Sequence, residues 1–86
     1  MRPFFSKRFK KAYQRLPKPV QQSFNERLVL FFKNTQDPLL RNHALTGEWE
    51  SCRSINVTGS YRAIYRQETK TSVRFLAIGT HSELYE

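Results

Sequence analysis

Two side chains near the end of this sequence could move a proton and hold a nucleobase. His81 and Tyr85, in the run His81-Ser82-Glu83-Leu84-Tyr85-Glu86, follow directly on an apolar, strand-like stretch from Val73 to Thr80. Imidazole titrates near neutrality, which suits it to giving or taking a proton. A phenol ring offers a stacking surface to an unpaired base. Metal-free cleavage of RNA needs a base for the 2′-hydroxyl, an acid for the departing 5′-oxygen, and positive charge on the crowded phosphorane. His43, in Arg41-Asn42-His43-Ala44-Leu45, is the other imidazole. The charge is available from Arg53, Arg62, Arg66 and Arg74, whose forked guanidinium groups suit phosphate oxygens. Tyr61 and Trp49 are further stacking candidates; Asn56 and Lys11 are candidate RNA contacts.

Each of these residues also has a plainer reading. Arg53 shares a strand face with Ile55 and Val57, so alternation aims it at the core unless a bulge or strand end frees it. Tyr61 and Tyr65 share one strand face, and each fits a core better than a stacking platform. His81 could open a C-terminal turn capped by Ser82, His43 could be a surface loop residue, and Trp49 could close a sheet edge. Metal and nucleotide chemistry are poorly supported. His43, His81 and Cys52 have no ligand spacing, and Gly47, Gly59 and Gly79 stand too far apart for a phosphate loop. No cofactor is expected.

The elements that must position these groups follow from periodicity. Phe5, Phe9, Ala12, Tyr13 and Leu16 recur at helical spacing behind Ser6, a suitable N-cap. Pro19 suits the first turn of a second helix, whose apolar face is Val20, Phe24, Leu28, Phe31 and Phe32. A connector from Asp37-Pro38 to Thr46-Gly47 leads to three strands, Trp49–Val57, Tyr61–Arg66 and Ser72–Thr80, separated by short turns. Pro3-Phe4-Phe5 could add a fourth. The expectation is an α+β fold, with two N-terminal helices packed on one face of a three- to four-stranded antiparallel sheet and the other face free to bind.

Size and charge bound the function. Eighty-six residues suit one domain, 1–86, with a modest core. The net charge of +8 calls for a polyanionic partner, nucleic acid first. The single cysteine suits a reducing cytoplasm, and neither a secretory leader nor an apolar run of spanning length is evident.

Taken together, Leu45-Thr46-Gly47-Glu48-Trp49, the stretch Cys52 to Arg66, and Ile78-Gly79-Thr80-His81-Ser82-Glu83-Leu84-Tyr85 resemble the RelE/ParE toxin superfamily, most closely its YafQ-like mRNA interferase branch. The resemblance implies a RelE-like fold and the toxin of a type II toxin–antitoxin pair. Such a toxin is a ribosome-dependent endoribonuclease that cuts mRNA in the ribosomal A site and is held in check by a cognate antitoxin. It implies that His81 is a proton-transfer catalyst, that Tyr85 positions the message, and that His43 matches the histidine of the connector. It also exposes two departures. The branch often carries histidine where Asn56 stands and aspartate where Ser60 stands. An amide cannot take up a proton near neutral pH. Either His43 and His81 share the proton work or activity is weakened. A gyrase poison of ParE type and a non-cleaving RNA- or antitoxin-binding homologue are the alternatives.

Overall fold

The computed structural model describes residues 1–85. The chain runs β1 (Arg2–Phe5), α1 (Lys7–Arg15), α2 (Lys18–Lys33), β2 (His43–Ala44), β3 (Arg53–Asn56), β4 (Tyr61–Thr69), β5 (Ser72–Thr80) and α3 (His81–Tyr85). Short 3₁₀ turns at Pro38–Leu40 and Gly47–Trp49 shape the connector. The five strands lie in the order β1-β5-β4-β3-β2.

This sheet corrects the expected one in two ways. It is mixed: β1 runs parallel to β5, from Arg2 opposite Ser72 to Phe5 opposite Phe75, while all other pairs are antiparallel. It also gains β2, a two-residue strand inside the expected connector, too short to leave an alternating pattern. Trp49 lies in the second 3₁₀ turn, so β3 starts at Arg53, whereas β4 extends past Arg66 to Thr69.

Local chemistry explains the helices. The Ser6 hydroxyl accepts from the Phe9 amide (3.0 Å) and donates to the Leu76 carbonyl (3.0 Å), capping α1 and pinning it to β5 at once. A cap of this kind is worth about 1 kcal/mol. Pro19 occupies the first turn of α2, where its missing N–H costs nothing. The Gln21 amide then donates to the Tyr13 carbonyl (2.8 Å), and the Tyr13 hydroxyl to Asn25 (2.9 Å), fastening the two helices together.

The main core lies between these helices and one sheet face. Phe75 is its hub: its ring centroid lies 5.4–5.9 Å from those of Phe5, Phe9, Phe24, Phe31 and Tyr65. Of the expected α2 face, Phe24 and Phe31 are buried while Phe32 remains 39% exposed. A bulge keeps β5 compatible with both sheet faces. Pairing jumps from Ile64 opposite Ala77 to Tyr65 opposite Phe75, leaving Leu76 as the extra residue. Ile78 therefore rejoins Phe75 in the core, and Ala77 turns to the other face with Ile64.

That second face is only partly open. Cys52, Ile64, Ala77 and Leu84 form a smaller cluster there, with Leu45, Trp49, Leu76 and Tyr85 packed on it. The helix α3 thus folds back over the face that the sequence left bare.

Candidate active site

Strand pairing gathers the site. His43 lies opposite Ser54 across β2 and β3, and Asn56 lies opposite Arg62 across β3 and β4. Residues directly opposite one another point to the same side, and Ser54 and Asn56 alternate with the core residues Ile55 and Val57. His43, Ser54, Asn56 and Arg62 therefore share the face away from α1 and α2.

Ser54 is fully buried and is the hub. Its hydroxyl accepts from Arg62 Nε (2.5 Å) and meets the Tyr85 hydroxyl at 3.3 Å, while its carbonyl accepts from Arg62 Nη2 (3.2 Å). The same Nη2 donates to the Arg41 carbonyl (3.0 Å) and lies 3.4 Å from His43 Nδ1. Burial pushes the Arg62 pKa down, and the neighbouring Tyr85 works against that shift. Arginine remains charged under such a shift. The result is a guanidinium fixed from three sides beside an imidazole.

The Arg41 carbonyl also sets the chemistry of His43. It lies 2.9 Å from His43 Nδ1 and can only accept a hydrogen bond. The tautomer that satisfies this carbonyl carries its proton on Nδ1 and keeps its lone pair on Nε2. To aim this carbonyl, Arg41 adopts a left-handed backbone (φ 45°, ψ 46°), costing a non-glycine residue about 1–2 kcal/mol. Such strain often marks a functional position.

His81 and Tyr85 arrive on α3. They are four residues apart on one helical face, with ring centroids 4.7 Å apart. His81 is exposed and Tyr85 half-buried. Thr80, rather than Ser82, caps the helix. The Glu83 amide donates to the Thr80 hydroxyl (3.3 Å), and the Glu83 carboxylate accepts from the Thr80 amide (2.7 Å), a reciprocal capping box. Those Thr80 hydrogen bonds, the backbone one foremost, hold the Glu83 carboxyl below its ordinary pKa. Trp49 Nε1 donates to the Leu84 carbonyl (2.9 Å) and fastens the far end. The Arg8 guanidinium lies over the Trp49 ring at 5.2 Å.

The geometry therefore brings together His43, Arg62, Tyr85 and His81, with Asn56 alongside. It does not bring in Arg53, Tyr61, Arg66 or Lys11. Arg53 stays on the core-facing side of β3, where its Nε donates to Asn42 Oδ1 (2.8 Å). Asn42 in turn donates to the Tyr65 hydroxyl (2.8 Å). No bulge releases it, so alternation prevails. Tyr61 packs partly buried against the helix-side core, lining a small cleft with Ala12, Leu16 and Ile78. Arg66 shares the Arg62 face but lies about 13 Å further along β4, bound to Glu68 at 3.1 Å. Lys11 belongs to the basic side of α1 with Lys7, Arg8 and Arg15. Ser54 is the residue that sequence reasoning missed. Its signal was a small hydroxyl in mid-strand, alternating with Ile55.

A mixed five-stranded sheet with two N-terminal helices on one face is the fold of a class of small bacterial toxins. YafQ from E. coli strain BL21(DE3) has a TM-score of 0.83 at 23% identity, with 100% of each chain covered. YafQ in the E. coli DinJ–YafQ toxin–antitoxin complex scores 0.79 at 24%, over 98% of this chain and 96% of that chain. A YoeB/ParE toxin from Agrobacterium tumefaciens scores 0.78 at 16% identity, over 94% of this chain and 99% of that chain. These likenesses are of fold. The chain belongs to the YafQ family, bacterial toxins of type II toxin–antitoxin systems, whose family model matches residues 1–86. No curated protein matches it. No helix among the described residues is long and apolar enough to cross a membrane.

Proposed function

We propose that this chain acts as a single domain in the cytoplasm, cutting mRNA in the ribosomal A site by attack of the 2′-hydroxyl on the adjacent phosphate. The observation that carries the reading is the anchored Arg62 guanidinium, with Nη2 3.4 Å from His43 Nδ1, and with Tyr85 bonded to the same serine. His43 Nε2 takes the 2′-hydroxyl proton. The oxygen then bonds to phosphorus, and negative charge builds on the phosphorane beside Arg62. His81, protonated, gives its hydrogen to the departing 5′-oxygen, leaving a 2′,3′-cyclic phosphate. Tyr85 stacks on a base next to the cut.

Two imidazoles suffice for this proton traffic, so Asn56 is left to hydrogen-bond the substrate and Ser60 to shape a turn. The route requires no metal. An acidic antitoxin that covers the basic surface is the expected partner, in keeping with the net charge of +8.

Primer extension on translated mRNA tests the assignment. His81→Ala and His43→Ala should each lower cleavage by ~10²–10⁴, the usual worth of a proton-transfer group, with the circular-dichroism spectrum unchanged. Full cleavage by the His81→Ala variant would end the assignment. Intact message together with blocked DNA supercoiling would transfer it to gyrase.

A further inference from the structure

The Arg62 face carries a second basic feature that the cleavage chemistry does not use. Phe4 on β1 lies opposite Arg74 on β5, and Arg74 lies opposite Arg66 on β4, so the three make a row across the sheet. Arg2, two residues before Phe4, joins them on the same side. The Phe4 ring is 39% exposed. Two guanidinium groups lie against it, Arg2 at 5.6 Å and Arg74 at 5.4 Å from its centroid.

One carboxylate organises the row. Glu68 accepts from Arg74 Nε (2.9 Å) through one oxygen and from Arg66 Nη2 (3.1 Å) through the other. Those hydrogen bonds, Arg74 first, hold its carboxyl below the usual glutamate range. Arg66 and Arg74 nevertheless remain open, with side-chain exposures of 46% and 36%. Three arginines face a single acid, so the patch is cationic. Their planar forks suit phosphate oxygens, and an exposed phenyl ring between guanidinium groups suits a nucleobase. Phe4 and Met1, the neighbour of Arg2, are the exposed large hydrophobic residues of β1 and its start, against three guanidinium groups.

We propose that Arg2, Phe4, Arg66 and Arg74 form a second RNA-binding surface, distinct from the cleavage cluster, which grips phosphates and stacks an unpaired base of ribosomal RNA. This rests on the reading of the chain as a toxin that works on the ribosome. The surface anchors the molecule while the His43–Arg62 cluster, about 13 Å further along β4, meets the message.

Vacant ribosomes without mRNA are the probe, in co-sedimentation across a salt series. All variants carry His81→Ala, and thermal melts monitor folding. Arg2→Ala with Arg74→Ala should weaken binding at least tenfold. It should also reduce the salt slope by about one to two, since each lost phosphate contact removes about 0.7–0.9. Phe4→Ala should weaken binding about five- to hundredfold and leave the slope unchanged. Glu68→Gln should tighten binding, because the patch loses its acid. Unchanged affinity and slope in the double arginine variant would overturn the proposal. So would ribosome binding kept intact while affinity for the antitoxin falls, which would make the patch a protein dock. Ribosome binding that depends on Arg2 and Arg74, together with uncut mRNA from the chain that keeps His81, would support this surface and overturn only the nuclease.

Discussion

The single hydroxyl of Ser54 fixes two of the groups proposed to act on RNA. Removing it leaves Arg62 Nε and the Tyr85 hydroxyl without their shared partner. The loss of a hydrogen bond to a half-buried charge costs about 1–3 kcal/mol. Ser54→Ala should therefore lower stability to urea by that order. Its effect on cleavage should fall on kcat more than on KM, because a loose guanidinium still attracts RNA but no longer meets the phosphorane. An unchanged kcat would remove Ser54 from the positioning of Arg62. The two histidines stand out in the sequence as candidates because they are its only imidazoles, whereas Arg62 is one of several arginines and Tyr85 one of several rings until the family resemblance singles it out. Ser54 does not stand out, since a serine between Ser51-Cys52-Arg53 and Ile55 reads as filler until pairing places it between a histidine and an arginine. Arg53 shows the reverse: alternation located it correctly, but its partner Asn42 comes from eleven residues away in the connector.

At the scale of elements, β5 and both long helices follow from local patterns. Ser6 and Pro19 each act at the helix start that their chemistry suggested. The parallel β1, the brief β2 and the Leu76 bulge depend on contacts with distant strands and leave little local trace. The helix α3 is also short, so its hold on the sheet is specific. A β-carbon at Gly79 would meet Glu83 Oε1 at 3.0 Å and Glu83 Cβ at 3.3 Å, so a larger residue there would require the capping Glu83 to give by a few tenths of an ångström. Because the folded pKa of Glu83 lies below its ordinary value, its stabilising effect is complete above about pH 4.3. It is lost as pH falls through the lower folded value. The single tryptophan, bonded to the Leu84 carbonyl, reports this directly. Its fluorescence should change as α3 loosens in acid, and Glu83→Gln should flatten that change. An identical acid transition in the variant would place the titrating group elsewhere.

At the scale of the molecule, one strand ties everything together. β5 pairs with β1 on one side and β4 on the other, carries the aromatic hub Phe75, and runs directly into α3. Phe75→Ala should cost about 3–5 kcal/mol, measured by urea denaturation. In a chain this short, that is a large share of a total stability of about 5–15 kcal/mol. A loss below 1 kcal/mol would show that the ring cluster collapses around the gap. Chain order gives this strand a further meaning. During synthesis, residues 1–71 emerge with neither the strand that joins β1 to β4 nor the imidazole and phenol of α3. A nascent chain that has not passed Thr80 therefore lacks the complete sheet, and one that has not passed Tyr85 lacks part of the α3 face proposed to act on RNA. Under the proposed function, a copy terminated before α3 should leave the ribosome that produced it unharmed, because it carries neither His81 nor Tyr85.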